Sequence, residues 1–188
     1  MKFKDYIEES NQFVYHGQNY PGDPFKHMDK RIHEGNQQEG PGIYFGAYNV
    51  AKDYGKFITK TKDRIQNKDF VKSRAELSKT KLYNRLPKFL YELFKIDPEP
   101  IYYEITNWIE IYEPEDIKDY HFDILAKKLK YEETRNFLIT YAKLYKKDFL
   151  DVFNKVYPNI KGTYNPDLNF YAFLKSVKLE KVEKVEKT

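Results

Sequence analysis

The sequence contains no cysteine among its 188 residues. Disulfide frameworks and thiolate zinc sites are therefore excluded, and the chain suits a reducing compartment. No apolar run approaches the roughly 20 residues of a membrane-spanning helix, and residues 1–5 lack the apolar core of a signal peptide. We expect a soluble, cytoplasmic protein without a membrane partner.

Several common catalytic motifs are also absent. The glycines of residues 40–46 do not have the G-x-G-x-x-G spacing of dinucleotide-binding folds, and no phosphate-binding loop G-x-x-x-x-G-K-[ST] is present. The four histidines form no H-E-x-x-H pair, and no G-x-S-x-G nucleophile elbow exists. Dehydrogenase, nucleotide-hydrolase and metalloprotease activities lose their usual sequence support, and we expect no metal site.

The residues that are abundant indicate one globular domain with a core rich in tyrosine. The hydrophobic content is 40% and the aromatic content 18%, with 18 Tyr and 14 Phe. The net charge is +4, but the segment from Lys56 to Lys95 holds 12 Lys and Arg against 4 Asp and Glu. Such a segment either attracts phosphates or acidic protein surfaces, or is a solvated lysine-rich helical face.

The order of the predicted elements favours an α+β fold, because no regular alternation of strands and helices appears. Residues 60–95 look helical and basic, and a charged repeat at about 180–188 predicts a mobile tail. Residues 1–10 are expected to form one frayed helical turn, followed by a polar loop over 26–40. Strands are predicted at 13–15, 43–45, 101–105, 108–112, 169–173 and 177–179, and helices at 50–54 and 131–156.

Three short stretches carry the most specific signal. Residues 15–18 read Tyr-His-Gly-Gln, residues 42–45 read Gly-Ile-Tyr-Phe, and residues 51–55 read Ala-Lys-Asp-Tyr-Gly. Their order and content resemble the ADP-ribosyltransferases of the His-Tyr-Glu class, which includes the diphtheria-toxin-like and poly(ADP-ribose)-polymerase-like enzymes. The resemblance covers residues 13–57, about a quarter of the chain. It implies one domain over 1–188 with a split β-sheet core, to which residues 58–98 or so add a helical, basic insertion.

The resemblance also implies a site for NAD as co-substrate. His16 would bind the adenosine-side ribose, and the backbone of Gly17 would hold the nicotinamide carboxamide, with glycine allowing close approach. Tyr44 and Tyr54 would cover the two faces of the cationic nicotinamide ring, gaining stacking and cation–π energy. The family usually places these tyrosines one residue further apart.

The third motif of the class, a glutamate at the start of a late strand, is degenerate. The matching strand, 169–173, puts Asn169 at that position, and asparagine can bind a ribose hydroxyl but supplies no charge. The glutamate stabilises an oxocarbenium-like transition state, as in glycoside cleavage. Asp167 lies two residues earlier and can share the same side of an extended chain, although Asn165–Pro166–Asp167 also reads as an ordinary turn. Glu104 is a further candidate.

These observations leave three hypotheses open. The first is a mono-ADP-ribosyltransferase that releases nicotinamide and passes ADP-ribose to a macromolecular acceptor, recognised through the basic segment. The second is a catalytically degenerate relative that acts as a binding module. The third is a basic protein that binds nucleic acid through residues 56–95, although no RNA-recognition, helix-turn-helix or zinc-finger pattern supports it. The composition suits a bacterial or phage protein, and the resemblance implies a toxin-like one.

Overall fold

The structure, a computed structural model, describes residues 12–32 and 38–182. These residues form seven β-strands and seven α-helices, joined by short 3-10 turns. The strands are β1 (Tyr15–Gln18), β2 (Ile43–Phe45), β3 (Phe57–Thr61), β4 (Phe70–Lys72), β5 (Gly162–Asn165), β6 (Phe170–Phe173) and β7 (Leu179–Lys181). The helices are α1 (Met28–Arg31), α2 (Tyr48–Tyr54), α3 (Leu86–Ile96), α4 (Pro98–Thr106), α5 (Asp119–Leu129), α6 (Thr134–Tyr145) and α7 (Lys147–Val156).

The strands form two sheets that share one corner. The first sheet is antiparallel with the order β1-β3-β7, and the second has the order β2-β6-β5-β4 with one parallel pair, β4–β5. Tyr15 of β1 and Gly46, just after β2, exchange two backbone hydrogen bonds of 2.9 Å each. Beyond this bridge β1 pairs with β3 and β2 pairs with β6, which leaves a gap between the sheets.

The helices pack around α3, which begins with a proline in its first turn. Its buried residues recur at spacings of three and four, so one face is apolar. Phe89 is fully buried and has ring contacts with residues of three segments, α6, α7 and the chain after α7. Its ring partners are Phe137, Tyr141, Phe149, Phe153 and Tyr157.

The α+β class predicted from the sequence is confirmed, but the helical prediction for residues 60–95 is mostly wrong. β3 and β4 contribute strands to the two sheets, and only α3 is a long helix. Thr59, Thr61 and Val71 are buried and suit strands, whereas the lysines between them reach solvent. The helical segment expected at 58–98 is therefore part of both sheets in its first half.

Residues 101–105 were predicted to be a strand and belong to helix α4. The side chain of Asp97 caps this helix by accepting from the backbone N–H of Glu99 at 3.2 Å, and Pro98 occupies its first turn. Ile101 and Ile105, one helical turn apart, are buried. Residues 108–112, also predicted as a strand, form a loop.

The helix predicted over 131–156 is two helices, α6 and α7. They are separated at Lys146, whose φ of 49° lies in the left-handed region that interrupts a right-handed helix. At the carboxyl end, residues predicted as a mobile tail at about 180–188 begin inside β7, which pairs with β3. Residues 183–188, and the helical turn predicted at 1–10, lie outside the described residues.

Candidate functional site

His16 and Tyr44 are joined by a hydrogen bond across the gap between the two sheets. Nδ1 of His16 lies 2.7 Å from the backbone carbonyl oxygen of Tyr44. A carbonyl can only accept, so Nδ1 carries the proton. Burial lowers the pKa of His16, although the bond to the carbonyl opposes this shift. The imidazole is therefore neutral near pH 7, and its Nε2 is an acceptor.

Buried polar atoms without partners surround this imidazole. Nε2 of His16 and Oε1 of Gln18 belong to side chains on the same face of β1, and Thr59 is in register with His16 on β3. Within the described part of the chain, these two atoms and Oγ1 of Thr59 are buried and no hydrogen bond of good geometry reaches them, although the side chain of Gln18 lies close enough to His16 to raise its pKa. Buried polar atoms of this kind are rare and costly, and of the three residues only His16 lines the cavity described below.

The ring of Tyr44 is held in place at its hydroxyl end. The hydroxyl donates to the carbonyl of Gly40 at 2.6 Å and accepts from the backbone N–H of Glu39 at 3.1 Å. Burial raises the pKa of Tyr44 to about 12, so the phenol stays neutral. A ring fixed in this way can present one face to a ligand without losing further side-chain entropy.

Helix α2 lies directly against β1 because two glycines allow it. A Cβ atom on Gly17 would stand 1.8 Å from the carbonyl oxygen of Ala51, and one on Gly55 would stand 2.1 Å from the backbone of Gln18. The sequence prediction explained the glycine at position 17 by the close approach of a ligand. In the structure, the missing side chain of Gly17 makes room for α2. The close contact carries Tyr54, at the end of α2, to the side of the gap.

The backbone of Gly17 faces the gap between the sheets. In an antiparallel pair, successive residues direct their N–H and C=O groups to opposite edges of the strand. Both groups of Tyr15 bond to Gly46, on the side away from β3. Gly17, two residues later, therefore presents its N–H and C=O to the same edge, next to His16 and Tyr44.

These residues line one cavity with a volume of about 380 Å³. Volumes of this order suit small-molecule ligands. His16, Gly17, Tyr44 and Tyr54, the four residues predicted to bind the cofactor, all lie in its wall. The remaining wall comes from Tyr15, Gln38, Glu39, Phe45, Gly46, Val50, Ala51, Leu168 and Phe170.

Asp167 and Asn169, the two residues predicted to be catalytic, lie in the turn between β5 and β6. Their neighbours Leu168 and Phe170 line the cavity, so the turn lies at its rim, but Asp167 and Asn169 themselves are not part of the lining. Strand β6 begins at Phe170, one residue later than predicted. Asn169 has a left-handed φ of 52°, and its side-chain oxygen accepts from Nε2 of Gln12 at 2.8 Å. The third candidate, Glu104, lies on α4 and accepts from the hydroxyl of Tyr141 at 2.7 Å.

Glu39 is a buried carboxylate in the cavity wall that the sequence interpretation missed. Burial raises its pKa, but hydrogen bonds from Arg74, Ser73 and Asn165 outweigh that effect and hold the pKa below its usual value. One carboxylate oxygen lies 2.9 Å from Nη2 of Arg74 and the other 2.7 Å from Oγ of Ser73. Both oxygens are engaged, so Glu39 anchors the backbone that positions Tyr44. No local signal distinguishes it from other polar residues of the predicted loop.

Among the residues that the structure describes, no three His, Asp or Glu side chains are grouped to hold a metal ion. In the same residues, no helix has the length and apolar character needed to cross a membrane. The chain matches no known family model, no curated protein and no solved structure.

Proposed function

We propose that the protein is an NAD-dependent mono-ADP-ribosyltransferase and that NAD binds in the cavity between the two sheets. One observation carries the proposal. The four residues that the resemblance assigns to NAD, His16, Gly17, Tyr44 and Tyr54, come from three different elements and line the same cavity. If the short motifs matched the family only by chance, their residues would have no reason to meet in one cavity.

Each of the four residues has a chemical role in this proposal. The exposed backbone edge of Gly17 pairs with the carboxamide of nicotinamide, which has one donor and one acceptor side. The rings of Tyr44 and Tyr54 stack on the pyridinium, which is flat and positively charged. Nε2 of neutral His16 accepts a hydrogen bond from a ribose hydroxyl.

The transfer step breaks the bond between the ribose C1′ and the pyridinium nitrogen. The electron pair of that bond leaves with nicotinamide. A nucleophilic atom of the acceptor then bonds to C1′ and loses its proton. The sugar carries positive charge in the transition state, which a nearby carboxylate stabilises. Asp167, in the turn at the rim, is the candidate for this role, and the amide of Asn169 can orient the ribose.

The test is NAD binding by calorimetry together with nicotinamide release from labelled NAD. Tyr44→Ala removes the stacking surface and should abolish both signals, whereas Tyr44→Phe keeps the ring and should retain most of the binding. Tyr91→Ala, which removes a partly exposed ring of α3 outside the cavity, is the matched control. Absence of NAD binding to the wild-type protein would end the proposal.

A second candidate is a binding module of the same kind that does not transfer ADP-ribose. It is favoured by the position of Asn169, which replaces the glutamate of the class and engages Gln12. A missing carboxylate weakens catalysis more than binding. Comparison of wild-type protein with Asn169→Glu separates the two candidates, because turnover gained only in the variant identifies the natural chain as a binding module.

The acceptor, in this proposal, is a macromolecule recognised through residues 56–95. Several cations of that segment are already paired, including Lys60 with Glu180 at 2.5 Å and Arg74 with Glu39 at 2.9 Å. Other lysines of the segment are exposed, including Lys62, just after β3, and Lys72, at the end of β4. Labelling of candidate acceptors should therefore decline with rising salt, since exposed charges are screened.

A further inference from the structure

Residues 97–123 carry exposed aromatic side chains that the cavity does not use. Tyr103 of α4, Trp108 and Tyr112 of the following loop, and Tyr120 of α5 are each more than half exposed. We call these four residues the aromatic surface. Within the described residues, none of them belongs to the core or lines the cavity. Groups of exposed large apolar side chains commonly mark interaction sites.

The loop between α4 and α5 is held against both helices. The hydroxyl of Tyr102 donates to the backbone carbonyls of Tyr112 and Ile111, at 2.8 Å and 3.3 Å. Nζ of Lys128, in the last turn of α5, lies 4.6 Å from the centre of the Trp108 ring. The aromatic surface is therefore part of one continuous stretch built from α4, the loop and α5.

This stretch is strongly acidic in a chain of positive net charge. Residues 97–123 contain nine Asp and Glu against one Lys, a net charge of −8, and a count through the end of α5 at Leu129 adds Lys127 and Lys128, for a net charge of −6. All of these carboxylates except that of Glu104 are exposed. In the described part of the chain, seven ion pairs engage six carboxylates, and none of the six lies between residues 97 and 123. Among the described residues, these carboxylates therefore form no ion pair, although Asp97, Glu104 and Glu110 accept hydrogen bonds.

We propose that the aromatic surface binds a segment of another polypeptide that is rich in Lys and Arg. Carboxylates and the faces of aromatic rings both attract cations, and the contact of Lys128 with Trp108 is an example within the molecule. Arg side chains in particular stack on rings and pair with carboxylates. Nucleic acids and anionic membranes would be repelled by a net charge of −8.

The probe for this proposal is a fluorescein-labelled decapeptide of alternating Arg and Gly, compared with the corresponding Glu–Gly peptide. Binding is measured by anisotropy, and independently by the fluorescence of Trp108, the single tryptophan of the sequence. The Arg peptide should bind and the Glu peptide should not. Binding should weaken by about fivefold or more as salt rises from low concentration to roughly 0.5 M, because the charges are exposed.

Matched variants separate the aromatic surface from general effects of charge. Trp108→Ala should raise the Kd of the Arg peptide about threefold to tenfold through loss of cation–π contact. Tyr131→Ala is the control, since Tyr131 is similarly exposed, has Lys130 4.6 Å over its ring and lies outside residues 97–123. Glu113→Gln with Glu115→Gln should weaken binding, whereas Asp63→Asn with Asp151→Asn should not.

Three outcomes would overturn the proposal. The first is equal binding of the Arg and Glu peptides. The second is an unchanged Kd in both the Trp108 and the Glu113 and Glu115 variants, which fold normally by circular dichroism. The third is a concentration-dependent dimer in sedimentation equilibrium that Trp108→Ala abolishes, because the occupant would then be a second copy of the chain. None of these measurements depends on NAD.

Discussion

At the scale of single residues, the candidate site depends on a neutral histidine. The carbonyl of Tyr44 selects the tautomer of His16 with its proton on Nδ1, and burial disfavours the imidazolium. Both effects keep Nε2 available as an acceptor. The same arrangement makes the folded state sensitive to acid, because protonation would place a charge in a buried position.

The first prediction concerns the stability of the folded protein in acid. The pKa of His16 is lowered in the folded state, so its contribution is complete above its unfolded pKa of about 6.5 and is lost as the pH falls through the folded pKa. As the pH falls through this window, the free energy of unfolding of the wild-type protein should decrease by up to about 1.4 kcal/mol per pH unit more than that of His16→Gln. Urea unfolding between about pH 8 and about pH 5 measures the difference. Parallel profiles for the two proteins would contradict the predicted role of the imidazole.

The second prediction concerns Gly17. In Gly17→Ala the new methyl group meets the carbonyl oxygen of Ala51, so α2 must move away from β1. We expect a loss of about 1–3 kcal/mol in the free energy of unfolding. NAD binding should also be lost, because α2 carries Tyr54.

Gly22→Ala is the comparison for this variant. Gly22 has a φ of 131°, and no heavy atom lies within 4 Å of the position that a methyl group would take there, so alanine adds backbone strain without a clash. It should lower stability and leave NAD binding unchanged. Calorimetry on the two variants distinguishes displacement of α2 from simple backbone strain. Intact NAD binding in Gly17→Ala would show that α2 need not lie against β1.

At the scale of elements, the helical layer is organised around one central helix, α3. The apolar face of α3 places Phe89 among five aromatic rings at centroid distances of 5.6–6.4 Å. These rings come from both α6 and α7 and from the segment that leads into β5. Loss of Phe89 would therefore loosen several elements together.

The third prediction is that Phe89→Ala lowers the free energy of unfolding by about 3–5 kcal/mol, because it removes a fully buried ring and leaves a cavity. Tyr91→Ala, two residues further along α3 and partly exposed, should cost less than about 1.5 kcal/mol. Urea unfolding of both variants at pH 7 provides the comparison. Equal losses would mean that α3 does not organise the helical layer as the ring contacts indicate.

The sequence predicted helices and strands correctly where the local residue pattern matches the final structure. It failed where contacts with distant parts of the chain determine the secondary structure. Residues 43–45 and the helix ending at Gly55 follow their local patterns. The β-prone residues 101–105 are helical because Asp97 and Pro98 start a helix whose apolar residues then face α3 and α5. The break at Lys146 has no proline or glycine to reveal it in the sequence.

At the scale of the whole molecule, the site follows from the way the two sheets meet. The residues predicted to bind NAD lie in short contiguous motifs, so local sequence patterns were enough to single them out as candidates. Glu39 lies 34 positions before Ser73 and 35 positions before Arg74 in the sequence. It meets them only after β4 joins the second sheet. Such a network has no sequence signature, because its members are ordinary polar residues until the fold brings them together.

The last prediction treats NAD as a ligand of this whole assembly. A ligand that binds only the folded state stabilises it by about 2.7 kcal/mol at 100 times its Kd, which for a domain of this size corresponds to a rise in Tm of roughly 5–10 °C. Because the cavity includes residues of β1, β2 and α2, the rise should disappear in Tyr44→Ala and persist in Asn169→Glu and Tyr91→Ala. Differential scanning fluorimetry with NAD, and with nicotinamide and ADP-ribose separately, provides the measurement. A shift with nicotinamide that persists in Tyr44→Ala would place the pyridine ring away from Tyr44 and contradict the proposed orientation. A shift with NAD in the absence of nicotinamide release would favour the binding module over the transferase.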